Sequence, residues 1–210
     1  MIDAGKFGLF LTAALLLAIA PGPGMLYVLT RSLAGGRREG VLSSLGTFVG
    51  GMVHVLAAAA GVSVILARSA VAFATVKYAG ATYLCFLGIR MILDARGDTQ
   101  SLPANALTPV RNPFWQGIAT EVLNPKTALF FLSFIPQFVN REAGHVFRQF
   151  VLLGSGSVVL NTSADLAVTV FAGPLGNRIR SSVGFRRTQR TATGAIMIGL
   201  GTYLATSRAE

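Results

Sequence analysis

Six consecutive residues, Glu121-Val122-Leu123-Asn124-Pro125-Lys126, set a carboxylate, a carboxamide, a helix breaker and an ammonium ahead of the apolar run 127–136. If that run crosses a bilayer, each charge costs at least about 2.5 to 3.5 kcal/mol at mid-depth, so ionisable residues there mark function. Pro125 donates no backbone hydrogen bond, and its ring crowds the carbonyl four residues back, that of Glu121. Irregular backbone at membrane depth persists only when buried in protein or lining a watery cavity. The hexapeptide therefore reads as one wall of a polar cavity.

A second interruption, Pro21-Gly22-Pro23-Gly24, follows the apolar stretch 7–20. Pro21 and Pro23 free the carbonyls of Leu17 and Ile19, and the N–H groups after Gly24 open a second half-helix. A half-helix N-terminus with Lys126 suits a carboxylate, while proline-freed carbonyls with Glu121 or Asp165 suit an ammonium. Together these groups complement a zwitterionic or cationic amino-acid-like solute. Ser157, Asn161, Asp165 and Thr169 recur every fourth residue and share one helix face. Such a stripe faces the protein interior, either as helix-to-helix hydrogen bonding or as part of a pathway. Asp165, with Glu121 second, is the candidate for proton coupling, since a carboxylate facing alternately wet sides can change its charge. His54 is read evenly as an interior hydrogen-bonded histidine or a pathway residue.

These residues need apolar elements to hold them. The chain of 210 residues is 52% hydrophobic and only 12% charged, with a mean hydropathy of +0.61. That composition excludes an ordinary globular domain and indicates an all-α integral membrane protein. The net charge of +10 does not point to nucleic acid, because the arginines fall between apolar runs and leave no polar chain for such a domain. Cys85 is the sole cysteine, so it reads as a small packing residue. No thiolate metal cluster or internal disulfide follows from it, and no cofactor or metal is expected.

Apolar spans are expected at residues 7–29, 41–67, 70–93, 114–139, 147–173 and 191–206, with the first and fourth broken by proline. Ala18-Ile19-Ala20 imitates a signal cleavage motif, but Pro21 after it argues for a retained helix. Arg31 to Gly40 is expected as a short basic loop, Arg68-Ser69 and Asn140 to His145 as turns, and Pro174 to Arg190 as a basic connection. Lys77 and Arg90 are expected to snorkel to an interface. Gly46 and Gly50 have the spacing that lets helices approach closely. Eleven basic residues lie after spans one, three and five: Arg31, Arg37, Arg38, Arg90, Arg96, Arg111, Arg178, Arg180, Arg186, Arg187 and Arg190. Six lie on the other side: Lys6, Arg68, Lys77, Arg141, Arg148 and Arg208. The positive-inside rule makes the first set cytoplasmic and both termini periplasmic.

The halves echo each other. Each begins with a proline-broken helix, continues with a polar-striped one and ends with a Gly-rich one, Gly80-Ala81 matching Gly194-Ala195. Residues 1–210 thus read as one membrane domain, a 3+3 inverted repeat of about 1–94 and about 113–210 joined by a cytoplasmic linker at about 95–112. The corresponding interruptions point to the site: Pro21, Gly22, Pro23 and Gly24 against Glu121, Asn124, Pro125 and Lys126, with His54, Asn161 and Asp165.

The Pro-Gly-Pro-Gly element, the basic loop to Gly40, Tyr83-Leu84 with Gly88, and Asn124-Pro125-Lys126 before Leu129-Phe130-Phe131 resemble the lysine-exporter superfamily, most closely its homoserine/threonine-efflux branch. The resemblance covers essentially the whole chain. It implies a multi-pass protein of the bacterial inner membrane that exports amino acids or close derivatives, driven by protons. Many relatives carry Asp or Asn after Pro-Gly-Pro, where this chain has Gly24. The partners implied are an amino-acid-like solute, protons and lipid, with a homo-oligomer left open. An exporter of another solute or ion, and an intramembrane enzyme using Glu121, Asp165 and His54, are the rival readings. Neither has a ligand set or a nucleophile motif to support it.

Overall fold

In a computed structural model, residues 4–68, 70–96, 112–140, 143–172 and 182–206 are described. Apolar runs with no water to satisfy their backbone close their own hydrogen bonds, and the described residues are helical apart from short joints. The helices are α1 (Ala4–Ile19), α2 (Pro23–Arg68), α3 (Ala70–Arg96), α4 (Pro113–Val122), α5 (Pro125–Leu129), α6 (Val146–Val170) and α7 (Val183–Thr206). From α5 the chain continues through a π turn, Phe130–Phe134, and a 3₁₀ turn, Ile135–Phe138.

Pro23–Gly61, Ala74–Ala95 and Val146–Val170 are long and apolar enough to cross a membrane. The α4 helix and the run Pro125–Phe138 pass the same test as a pair bent by 47°. At 1.5 Å per residue, the 46 residues of α2 would reach about 69 Å, more than twice the roughly 30 Å of hydrocarbon. One residue resolves this. Gly36 has φ 72° and ψ −167°, a conformation open to glycine, and it divides α2 into a half-helix completing the first broken span and a second span. The basic loop expected at Arg31 to Gly40 is therefore helix on both sides of a single break.

Chain directions follow from the closest contacts. A Cβ on Gly46 would strike Phe114 O and one on Gly50 would strike Ile118 O and Glu121, so α2 and α4 run parallel with backbones nearly touching. Val55 meets Gly154, Gly51 meets Val158, and Thr47 bonds Asp165, so α2 and α6 are antiparallel. Gly88 and Gly194 face each other's carbonyls, each Cβ position 2.5 Å from the other's oxygen, and Gly201 lies on Ala81 and Cys85, making α3 and α7 antiparallel. Leu17 lies by Lys126 and Phe10 by Phe138, so α1 runs against the fourth span. These directions are those of crossings that alternate in order. Gly88→Val must part α3 from α7 at backbone, and overpacking of this kind costs about 1 to 3 kcal/mol. The expected result is a lower unfolding midpoint in detergent for the purified variant, with no loss from the exposed control Gly199→Ala.

Two further expectations change. Lys77 does not snorkel: it is 4% exposed, with its ammonium 5.1 Å from the Tyr78 ring centroid, because its face of α3 packs toward Ser133, whose hydroxyl donates to Val76 O. The helix expected as the sixth span starts early, at Val183, and takes in basic residues assigned to the connection, so that α7 does not pass the test of length and apolarity that the four runs above pass. Arg90 is exposed. Most of the linker, Ser69, residues 141–142 and residues 173–181 lie outside the described residues. Cys85 is a packing residue, its thiol 3.9 Å from Ile198 O. The core runs through Phe130, Phe134 and Phe138, with ring centroids 5.2 and 5.0 Å apart, onto Phe10. Leu9, Leu15, Ile19, Leu152, Phe86 and Leu93 stay exposed, as a lipid-facing surface requires.

Candidate functional site

Asn124 shapes the break between α4 and α5. Its backbone is extended, its Oδ1 accepts from Lys126 N at 3.1 Å as an N-cap, and its Nδ2 donates to Glu121 Oε2 at 3.1 Å. Thr127 donates its hydroxyl to Glu121 Oε1 at 2.6 Å. The Glu121 carboxyl group, 3% exposed, is thus held by uncharged side chains from the next turn, as a buried polar group requires.

The carbonyls of Glu121 and Leu17, two of those freed by proline, have each found a basic side chain. The Glu121 carbonyl, displaced by Pro125, accepts from His54 Nε2 at 2.9 Å. A carbonyl can only accept, so Nε2 carries the proton. This is the geometry of an interior hydrogen-bonded histidine, with the ring stacked on Phe131 at 6.3 Å between centroids. The Leu17 carbonyl, displaced by Pro21, accepts from Lys126 Nζ at 2.9 Å, and Ala20 O accepts from the same ammonium at 2.7 Å. Lys126 caps the C-terminus of α1 from another span, where the helix dipole favours a cation. Glu121 and Lys126 do not bond each other.

Across from them, Asp165 Oδ2 accepts from Thr47 Oγ1 at 2.9 Å. One turn on, Thr169 Oγ1 donates to Asp165 O and accepts from Ser32 Oγ. Ser157, Asp165 and Thr169 are buried and Asn161 half-buried, so the stripe faces inward. Ser157 Oγ is buried with no hydrogen-bond partner.

Glu121, Lys126, Asn161 and Asp165 line one cavity with Thr47, Thr127, Ser157 and Thr162, walled by Ala14, Leu17, Phe130, Phe131 and Val158. Its volume is about 20 Å³, room for about one water molecule and no organic solute. Of the remaining site residues read from the sequence, Asn124 and His54 stand behind Glu121. Gly22 lies against the Lys126 stem, where a Cβ would come within 3.0 Å of Cδ, and Gly24 lies against Glu121 Oε2, where a Cβ would collide. Pro21 and Pro23 act on the backbone alone. Sequence reasoning gave neither Thr127 nor Thr47 a part in the site. A single hydroxyl in an apolar helix carries little signal, although Thr47 sits on the same face as Ser43 and Gly51. Among the described residues no three of His, Cys, Asp and Glu gather as a metal-ligand set.

Comparison with known proteins gives the arrangement relatives. Residues 15–208 match the family described as LysE type translocator. The chain is 32% identical to an uncharacterized membrane protein of Pseudomonas aeruginosa, over 96% of this chain and 95% of that one. It is 28% identical to an uncharacterized membrane protein of Vibrio cholerae, over 95% and 96%. A leucine efflux protein of Salmonella typhimurium is 26% identical, over 94% of this chain and 93% of its own. No solved structure matches.

Proposed function

The chain belongs to the LysE type translocator family, and from that premise we propose that it exports an amino acid across the bacterial inner membrane in exchange for protons. As a translocator it is a multi-pass membrane transporter and not an enzyme, which retires the acid–base reading of Glu121, Asp165 and His54. The observation that carries the proposal is the cavity. It places one ammonium, Lys126, and two carboxylates, Glu121 and Asp165, around the same small space, and the α-carboxylate and α-ammonium of an amino acid are their complements. Lys126 receives the carboxylate, Glu121 and the break carbonyls receive the ammonium, and Asp165 takes up and releases the coupling proton.

The apolar wall of Leu17, Phe130, Phe131 and Val158 supports a neutral amino acid with an apolar side chain, and the name of the leucine efflux relative supports testing leucine first. We also take the termini as periplasmic and the halves as an inverted repeat. The offset between Gly80-Ala81 and Gly194-Ala195, 194 − 80 = 114, carries Leu84 onto Ile198. Ile198 O lies beside Cys85 at the middle of the α3–α7 contact, where a two-fold axis relating the halves would pass. Growth of a host sensitive to amino acids and their toxic analogues, challenged with a panel and expressing this chain, tests the substrate class. Protection by expression against a hydrophobic amino acid or its analogue is the expected result, and protection against none of the panel would sink the proposal.

A further inference from the structure

A cavity of about 20 Å³ cannot hold the solute its polar groups suit, so the site is contracted and something holds it so. Away from the cavity, Tyr27 ties the two broken spans by donating its hydroxyl to Pro113 O at 2.8 Å; at the cavity, the tie that holds the end of α1 is Lys126. Its Nζ binds Leu17 O at 2.9 Å and Ala20 O at 2.7 Å, across 109 and 106 residues of chain. Both carbonyls belong to the last turn of α1 and the residue after it, and Leu17 also lines the cavity. Gly22 packs against the Lys126 stem, where a Cβ would come within 3.0 Å of Cδ. We infer that Lys126 is a latch that draws the end of α1 over the cavity, and that a solute carboxylate opens it by taking the ammonium away from the Leu17 and Ala20 carbonyls.

The exchange is favourable in sign. The bonds Lys126 makes to the carbonyls are charge-assisted on the donor side alone, whereas a carboxylate adds a full opposite charge in a site of low dielectric, and the carbonyls it leaves are those at the C-terminus of α1, to which the ammonium of the same zwitterion is attracted. One amino acid thus supplies both the key and the replacement cap. A solute without a carboxylate offers a replacement cap but has nothing to draw Lys126 off the carbonyls, and leaves the latch closed. The inference rests on the export reading for its ligand, while the latch itself stands on the Lys126 contacts.

The test places a reporter behind the latch. Ala14 lines the cavity and is 4% exposed, and with Cys85→Ala removing the sole native cysteine, Ala14→Cys offers one thiol. Its labelling by a water-soluble methanethiosulfonate is timed in proteoliposomes with L-leucine, with L-leucinamide and with neither. We expect slow labelling without solute, about tenfold faster labelling with L-leucine and no change with L-leucinamide. Adding Lys126→Met is expected to give fast labelling that ignores both compounds. Gly22→Ala, which keeps the ammonium but crowds its stem, is expected to give intermediate rates and serves where the lysine variant does not insert. Labelling of Lys126→Met or Gly22→Ala as slow as the parent's overturns the latch. L-leucine that is exported in a parallel flux assay without accelerating labelling overturns carboxylate release. If no amino acid is exported at all while Lys126→Met still labels fast, the latch stands and the export reading fails.

Discussion

Lys126→Met is expected to abolish export while leaving the protein inserted. Methionine keeps the length and apolar stem of lysine and removes the one cation among the cavity-lining side chains. Truncating one partner of a buried charge pair costs 2 kcal/mol or more, so transport falls at least about thirtyfold at fixed solute concentration. A purely structural role for Lys126 as the partner of Glu121 predicts something else: the double change Glu121→Gln/Lys126→Met would restore stability and export together. The geometry argues against that rescue, because Glu121 is held by Asn124 and Thr127 and Lys126 by Leu17 and Ala20. The expected double variant is as inactive as the single one. Radiolabelled leucine efflux from loaded cells, normalised to protein in the membrane fraction, checks both.

Asp165→Asn is expected to uncouple transport without destroying the site. The amide oxygen still accepts from Thr47 Oγ1, now 2.9 Å from the carboxylate, so packing is kept. An amide cannot bind and release a proton within the cycle. A pH gradient of one unit is worth about 1.4 kcal/mol per proton, which under one-for-one exchange sustains about tenfold accumulation. In proteoliposomes the variant is expected to exchange leucine down its gradient at near-parent rates and to show no accumulation when a pH gradient is imposed. Gradient-driven accumulation equal to the parent's would remove Asp165 from coupling.

Part of this was legible because proline acts locally. A missing N–H and a clash four residues back name the freed carbonyls of Leu17 and Glu121 from the sequence alone, and both helices break where those prolines sit. What receives those carbonyls was not legible. Lys126 reaches Leu17 across 109 residues and His54 reaches Glu121 across 67, and periodicity within a helix says nothing about partners so distant. The stripe of α6 was readable because four polar residues repeat in an apolar helix. Thr127 was not, since its bond to Glu121 exists only where the chain unwinds at Asn124. The basic stretch at Arg31 to Gly40 was misread for a physical reason: charge density suggested a loop, but only Gly36 leaves helical geometry, and Arg31 and Glu39 pair across it at 3.8 Å. Lys77 was misread because snorkelling assumes a lipid-facing position, while its face of α3 packs into the protein.

The central claim is that a zwitterion binds between Lys126 and the carboxylates of this cavity. Counterflow of radiolabelled L-leucine in proteoliposomes tests it most directly, with L-leucine, L-leucinamide or 4-methylpentanoate as the unlabelled trans solute. The amide lacks the carboxylate, the acid lacks the amine, and both keep the side chain. The account predicts counterflow for leucine, little or none for either analogue, and none for any of the three with Lys126→Met. Equal counterflow with leucine and leucinamide, undiminished in Lys126→Met, would contradict it.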